Sequence, residues 1–365
     1  MQKNHRKARY HVESTSFFKV FVVAALPLFA GVFMADQGDQ TPSDNVWAPS
    51  GVSSDLVIDL EGQQTNERSW KETEVDSILT LDGADAEIVN PLQVASSEAG
   101  LFVVDFGDMR IKQFDWSGQY VKGYGRRGSG PGEFANPTDV GLADGVVWVA
   151  DGGARRLSRF EGDTVETQAM ESGIVRVAPT SATSAFIMTN TPTGDGLFML
   201  MEDEEIVSTF GHIVENQPRN AIALDGRIAS DGENMFYSSF YGGFLLSYDQ
   251  NGDLRFAVET FNHKELPEVQ ETERRGARIR RIRDEDKEFI NADISIDENG
   301  IHLFSIKGTR EESSLVIDTY SLEDGSYKYS TKARRNIRNI RVFDDMHVGI
   351  ENDTLVTAYW YRFEQ

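Results

Sequence analysis

The chain has 365 residues, no cysteine and a formal net charge of −23, from 36 Lys and Arg against 59 Asp and Glu. That length allows one large domain or two ordinary ones, and the absence of cysteine excludes disulfides, thiolate metal sites and a cysteine nucleophile. So acidic a chain repels phosphate backbones and anionic membrane surfaces, which argues against nucleic acid as a partner.

The N-terminal 35 residues carry the opposite charge. Lys3, Arg6, Lys7, Arg9 and Lys19 stand against Glu13, a net +4, so the rest of the chain carries −27. Residues 20–35, "VFVVAALPLFAGVFMA", are the long apolar run of the sequence. A basic segment followed by a short apolar one predicts a signal peptide over 1–35 or, if it is not cleaved, an N-terminal membrane anchor. Either version places the acidic body outside the cytoplasm, in the periplasm or secreted. Residues 36–54 are polar and rich in turn formers and read as a flexible linker.

From residue 55 onward the pattern is short strands. Two segments align without a gap at an offset of 46 residues: "NPLQVASSEAGLFVVDFGDMRIKQF" (90–114) and "NPTDVGLADGVVWVADGGARRLSRF" (136–160). Each reads as a strand, a turn, a strand ending in Asp, a glycine hairpin and a third strand, with a fourth after a turn such as "DWSG". The unit is a four-stranded antiparallel blade, and its period is that of a propeller. Weaker copies of the second strand recur as "AFIMT" (185–189), "MFYSS" (235–239), "HLFSI" (302–306) and "LVTAY" (355–359), which makes six blades. The segment "GRRGSGPGEFANPTDVGLADGVVWVADGGARRLSRF" resembles an NHL-type repeat of bacterial exported six-bladed β-propellers. That resemblance implies a ring of blades around a channel over residues 55–365, closed by an N-terminal strand joining the last blade. "LVIDL" (56–60) and "KETEVDSILTL" (71–81) are the strands available for closure.

Several motifs that resemble active-site loops read as architecture. "YGRRGSGPGEF" (124–134) is glycine-rich, but a strand follows it. With no helix N-terminus behind it, the stretch reads as a blade-to-blade turn rather than a phosphate cradle. "DFG" (105–107) is a hairpin. Asp249, Asn251 and Asp253 have calcium-loop spacing, but Leu254 and Thr260 stand where glycine and a bidentate glutamate are required. Asp105 with Arg110, and Asp151 with Arg156, repeat at one spacing and read as blade construction.

Two features remain as candidate sites. Twelve residues before the second-strand ends lie Gln93, Asp139, Arg227, Asp293 and His347, with Arg176 in the corresponding place of the third copy. This column predicts a ring of polar side chains at the channel mouth. Its plain reading is a wet channel. Its functional reading is a polar small-molecule or peptide-end site, in which His347, Asp139 and Asp293 could hold a divalent metal. The second feature is the segment from about 262 to 289, read as a charged helical insertion between blades 4 and 5. It holds Arg274, Arg275, Arg278, Arg280, Arg281 and Arg283, either ion-paired along a solvated helix or forming a partner-docking arm.

The sequence thus points to an all-β, six-bladed propeller of four-stranded antiparallel blades, with a monomeric body. Its leading functional reading is a non-enzymatic recognition module that binds a peptide, glycan or protein partner over the loop face. The alternative is a channel-site enzyme, a metal-dependent lyase or a lactonase-like hydrolase, as implied by some six-bladed relatives. RNA binding, known among animal NHL proteins, conflicts with the charge of −27.

Overall fold

A computed structural model describes residues 56–58, 67–81, 87–191, 196–214, 221–274, 277–283, 288–307, 314–332, 337–343, 346–351 and 355–363. The chain divides into two units, Met1–Val32 and Phe33–Gln365, and every described residue belongs to the second. The leader and linker expected over 1–54 lie outside the described residues.

Six four-stranded antiparallel blades follow one another along the chain. In each of the first five, the strands run outward in sequence order. Blade 1 comprises Pro91–Ser97, Gly100–Asp105, Arg110–Phe114 and Tyr120–Tyr124. Blade 2 comprises Pro137–Ala143, Val146–Asp151, Arg156–Glu161 and Thr164–Ala169. Blade 3 comprises Ile174–Pro179, Ser184–Thr189, Phe198–Glu202 and Glu205–Phe210. Blade 4 comprises Gly226–Ser230, Met235–Ser239, Phe244–Tyr248 and Leu254–Glu259. Blade 5 comprises Asn291–Asp297, Gly300–Lys307, Ser314–Tyr320 and Tyr327–Lys332. Blade 6 takes Ile337–Phe343, Met346–Glu351 and Leu355–Phe363 from the C-terminus, and Thr73–Leu81 as its outermost strand.

The second strands show why this sequence makes blades. "VVWVAD" is buried at every position, as is "GLFVVD", because a neighbouring blade covers each of its faces. Such strands read as continuous apolar runs, whereas the outermost strand of blade 1, Tyr120–Tyr124, is mostly exposed. Neighbouring blades share separate cores. Phe102, Val104, Ile111 and Phe134 meet Val140, Val147 and Phe160 between blades 1 and 2. Leu101 and Val103 meet Val348, Ile350 and Val356 between blades 1 and 6, which closes the ring. Phe134 is fully buried edge-to-face on Phe160, wedged between blades by the glycine-rich turn.

Closure uses the second of the two expected strands. Thr73–Leu81 pairs antiparallel with Leu355–Phe363, while Val57 and Ile58 add in parallel to the outer edge of blade 4. Between them, Arg68 grips the fully buried Asp318 of blade 5 with two hydrogen bonds of 2.8 and 3.0 Å, and its guanidinium lies over Phe261. The N-terminal segment thus straps blades 4, 5 and 6 in turn, and covers edges that would otherwise be open.

One expectation is overturned. Among its described residues the insertion before blade 5 is not helical: Val269–Arg274 pairs antiparallel with Ala277–Ile282 as a hairpin. Cross-strand pairing sets Glu271 opposite Arg280 and Glu273 opposite Arg278, so the charges alternate in a strand's register rather than a helix's. Gly276 lies in the sequence between the two strands, where a helix would lose about 1 kcal/mol relative to alanine.

Candidate functional site at the channel mouth

The innermost strands of the six blades contact one another in a closed circuit. Five of them carry a bulge near their start, next to Gln93, Asp139, Arg176, Asp293 and Arg341, which redirects the side chain that follows. Blade 4 places Arg227 at the equivalent position without a bulge.

This arrangement brings together five of the six residues expected in the ring and replaces the sixth. His347 is in the second strand of blade 6, and the ring position there belongs to Arg341. The reason is closure: with the outermost strand supplied by Thr73–Leu81, "LVTAY" is the third strand of blade 6 rather than the second. Counting back twelve residues from it therefore lands one strand too far out. No group of three or more His, Asp or Glu side chains suited to a metal ion occurs among the described residues, so His347 does not join Asp139 and Asp293 in a ligand set.

The ring is interlocked by charge. Arg227 donates to Gln93 Oε1 at 3.1 Å and lies 3.8 Å from both Asp139 and Asp293. Arg341 hydrogen-bonds Asp293 and reaches Asp139 at 3.9 Å. Arg176 donates to the carbonyls of Val175 and Gly226 and pairs with Asp225 at 3.1 Å. Arg227 thus ties blade 4 to blades 1, 2 and 5 across the channel. Burial, reinforced by Arg176 and Arg341, pushes the Arg227 pKa down to about 10 against the pull of Asp293 and Asp139, so it remains cationic at neutral pH.

Hydrogen bonding in the ring is incomplete. Gln93 Nε2, Asp139 Oδ1 and Asp293 Oδ2 are buried and meet no hydrogen-bonding partner among the described residues. Buried polar atoms left in this condition cost about 1–3 kcal/mol each, so the site holds unmet donor and acceptor capacity.

An aromatic roof lies over Arg176 and Arg227. Phe240, in the turn after the second strand of blade 4, lies under 6 Å from the guanidiniums of both Arg176 and Arg227. Phe289, at the end of the insertion, packs edge-on against Phe240 and stacks on Tyr241, and Ile282 of the hairpin joins them. The insertion is therefore attached to the ring through aromatic packing. Its arginines form exposed pairs, Arg280 with Glu271 at 3.2 Å and Arg283 with Glu268 at 2.6 Å. Arg281 is exposed on the second hairpin strand, and Arg274 and Arg278 lie at the turn-proximal ends of the two strands. Arg275 lies outside the described residues.

The other motifs resolve into construction. In the glycine-rich turn, the Glu133 carboxylate accepts from the amides of Ser129 and Gly130 at 3.0 and 2.8 Å, and from Arg126. The amides that could have cradled a phosphate hold the chain's own carboxylate. Those amide bonds, Gly130 foremost, and Arg126 keep the Glu133 pKa below the usual carboxylate range. Asp151 accepts from the amides of Ala135 and Asn136, and Asp105 from those of Val89 and Asn90, which fixes the chain as it enters each innermost strand. Arg156 accompanies Asp151 at 3.5 Å, but the cation on Asp105 is the buried Lys112 at 2.8 Å rather than Arg110. Asp249 closes its hairpin by accepting from the amides of Asn251 and Asp253.

Architecture and ring together define a six-bladed propeller whose channel mouth is crossed by ion pairs. Residues 57–358 match the family described as a six-bladed β-propeller, DUF5128, and the chain belongs to it. Among solved structures it is similar to an exported protein, so named without an assigned activity, from Bacteroides fragilis NCTC 9343. The TM-score is 0.54 at 11% identity, covering 85% of this chain and 100% of that one. It is also similar to a DUF4221 member from Bacteroides vulgatus, with a TM-score of 0.56 at 9% identity, covering 82% and 100%. At such identities the likeness concerns fold alone. No curated protein matches the chain in sequence.

Proposed function

We propose that this protein is an NHL-like recognition module outside the cytoplasm, held to a membrane or released by its N-terminal 54 residues, that binds a peptide, glycan or protein partner over the face bearing the insertion. The observation that carries the reading is Arg227 and Arg341 lying between Asp139 and Asp293. In a channel-site enzyme those carboxylates would serve as metal ligands or general bases. Here two guanidiniums engage them, and a cation or a reacting group would have to displace those buried partners to reach either carboxylate. The apolar run and basic start of the leader support export, as does the name of the Bacteroides fragilis neighbour.

The test is photocrosslinking in the native cell envelope, with a crosslinking residue at Arg281 on the insertion or at Val121 on the outer strand of blade 1. Discrete adducts from position 281 and none from 121 are expected. The same pattern from both positions, or no adduct from 281, overturns the reading.

A further inference from the structure

The ring, the roof and the unmet polar atoms together narrow the ligand class, and the narrowing rests on the recognition reading above. Formal charge in the site balances: Arg176, Arg227 and Arg341 face Asp139, Asp293 and Asp225. A balanced site gives no net attraction to an anion or a cation. Among the described residues it does hold both kinds of unmet hydrogen-bonding capacity, a donor at Gln93 Nε2 and acceptors at Asp139 Oδ1 and Asp293 Oδ2. These belong to side chains at most 1% exposed, fixed on the innermost strands of blades 1, 2 and 5. A neutral hydroxyl is the group that donates and accepts at once. A ligand bearing several hydroxyls could donate to the aspartates and accept from Gln93 without disturbing the charge balance.

The roof adds the second half of the match. Phe240 lies over the guanidiniums of Arg176 and Arg227, with Phe289 packed on it and Tyr241 stacked on Phe289, and the C–H face of a sugar ring packs on aromatic surface while its hydroxyls point away. Phe240 and Tyr241 sit on a turn rather than in a strand, so access requires that turn to lift and leaves the blades closed. An amino acid or peptide end would bring separated charges that must compete with the existing Arg–Asp pairs, whereas hydroxyls only complete them.

We propose that the channel mouth beneath Phe240 is a saccharide-binding site, in which Gln93, Asp139 and Asp293 bind ligand hydroxyls and the aromatic roof stacks on the sugar face. The experiment uses the full chain in a sugar-free detergent. Saturation-transfer NMR and thermal melts are run with glucose, galactose, mannose, N-acetylglucosamine and their disaccharides, and in parallel with dialanine.

Saturable transfer from at least one saccharide is expected, weakened at least tenfold in Gln93→Leu and in Asp293→Asn and unchanged in Val207→Thr on the exposed outer strand of blade 3. If Asp293→Asn does not fold, Gln93→Leu decides alone. The assignment is overturned if no saccharide binds, or if binding survives Gln93→Leu. Binding of dialanine without any saccharide also overturns it, while leaving the recognition reading standing. Loss of the position-281 crosslinks would sink that reading separately.

Discussion

The molecule builds two networks from the same residue types and uses them differently. At the channel mouth, arginines and aspartates lie almost wholly out of water and tie blades together across the axis. On the hairpin, arginines and glutamates pair across two strands in solvent. A buried ion is held by its partner because water cannot replace that partner, whereas an exposed ion exchanges its partner for water at little cost. Residue type therefore says little about what an arginine does here, and placement says nearly everything.

The sharpest way to break the comparison is Asp293→Ala, which leaves Arg227 and Arg341 facing each other with one carboxylate removed. Loss of one partner of a buried pair costs about 3–5 kcal/mol. Chemical denaturation should therefore show a lower midpoint, with all blades unfolding in one transition because the ring ties them together. A change under 1 kcal/mol would mean that the ring is solvated and adds little to the fold.

Protonation extends the contrast. Burial, with His302 nearby and only partly offset by Asp297, pushes the His347 pKa down to about 3 from an ordinary 6.5. The sign follows from linkage: between pH 6.5 and 3 the unfolded chain binds the proton and the folded chain resists it, so stability falls as pH drops through that window. The slope for one group is at most about 1.4 kcal/mol per pH unit. His347→Gln should flatten the pH dependence of the denaturation midpoint across that interval. An unchanged slope would place the acid sensitivity of that interval elsewhere. Asp297 would not supply it: burial opposes its ionisation, but hydrogen bonds from His302 and Asn299 prevail and hold its pKa low, so its contribution is lost only at lower pH.

Between the extremes stands Arg68, whose partner Asp318 is fully buried but also accepts from Ser330 Oγ at 2.6 Å and Ser305 Oγ at 3.0 Å. Those hydroxyls soften the loss, so Arg68→Met should cost about 2 kcal/mol, less than a ring residue. It should also loosen the N-terminal strap, read as faster amide exchange over Ser69–Leu81. Destabilisation without faster exchange there would mean that Thr73–Leu81 holds without the Arg68 clamp.

The sequence made the repeated parts legible and obscured the unrepeated ones. The 46-residue offset located blades 1 and 2, and the apolar second strands located blades 3 to 5, because burial on both faces imposes a pattern that survives divergence. Five ring residues followed from that register. Arg341 did not, because blade 6 borrows a strand from 275 residues or more upstream and shifts the count by one strand. The clue lies in the closing N-terminal strand, which makes the last C-terminal strand the third of its blade. The insertion is ambiguous in the sequence for a different reason. Its arginines fit helical and strand spacing equally over so short a stretch, and only Gly276 between two charge-alternating halves argued for a hairpin. The roof over the ring was not legible, since Phe240 and Phe289 are 49 residues apart and belong to no repeat.

The smallest expected effect is also the one that decides whether the hairpin ladder is structural. Glu271 and Arg280 face each other at 3.2 Å with both side chains well exposed, and such pairs contribute about 0.2–1 kcal/mol. A double-mutant cycle of Glu271→Ala and Arg280→Ala should give a coupling energy under about 0.5 kcal/mol that vanishes in high salt, because screening at that ionic strength reaches a few ångströms. The hairpin would then be held by Ile282 and Phe289 on Phe240 and Tyr241 rather than by its charges. Its arginines would be free to exchange their glutamates for a partner without cost to the fold. A coupling above 1 kcal/mol would instead make the ladder part of the architecture and remove the distinction between the two networks.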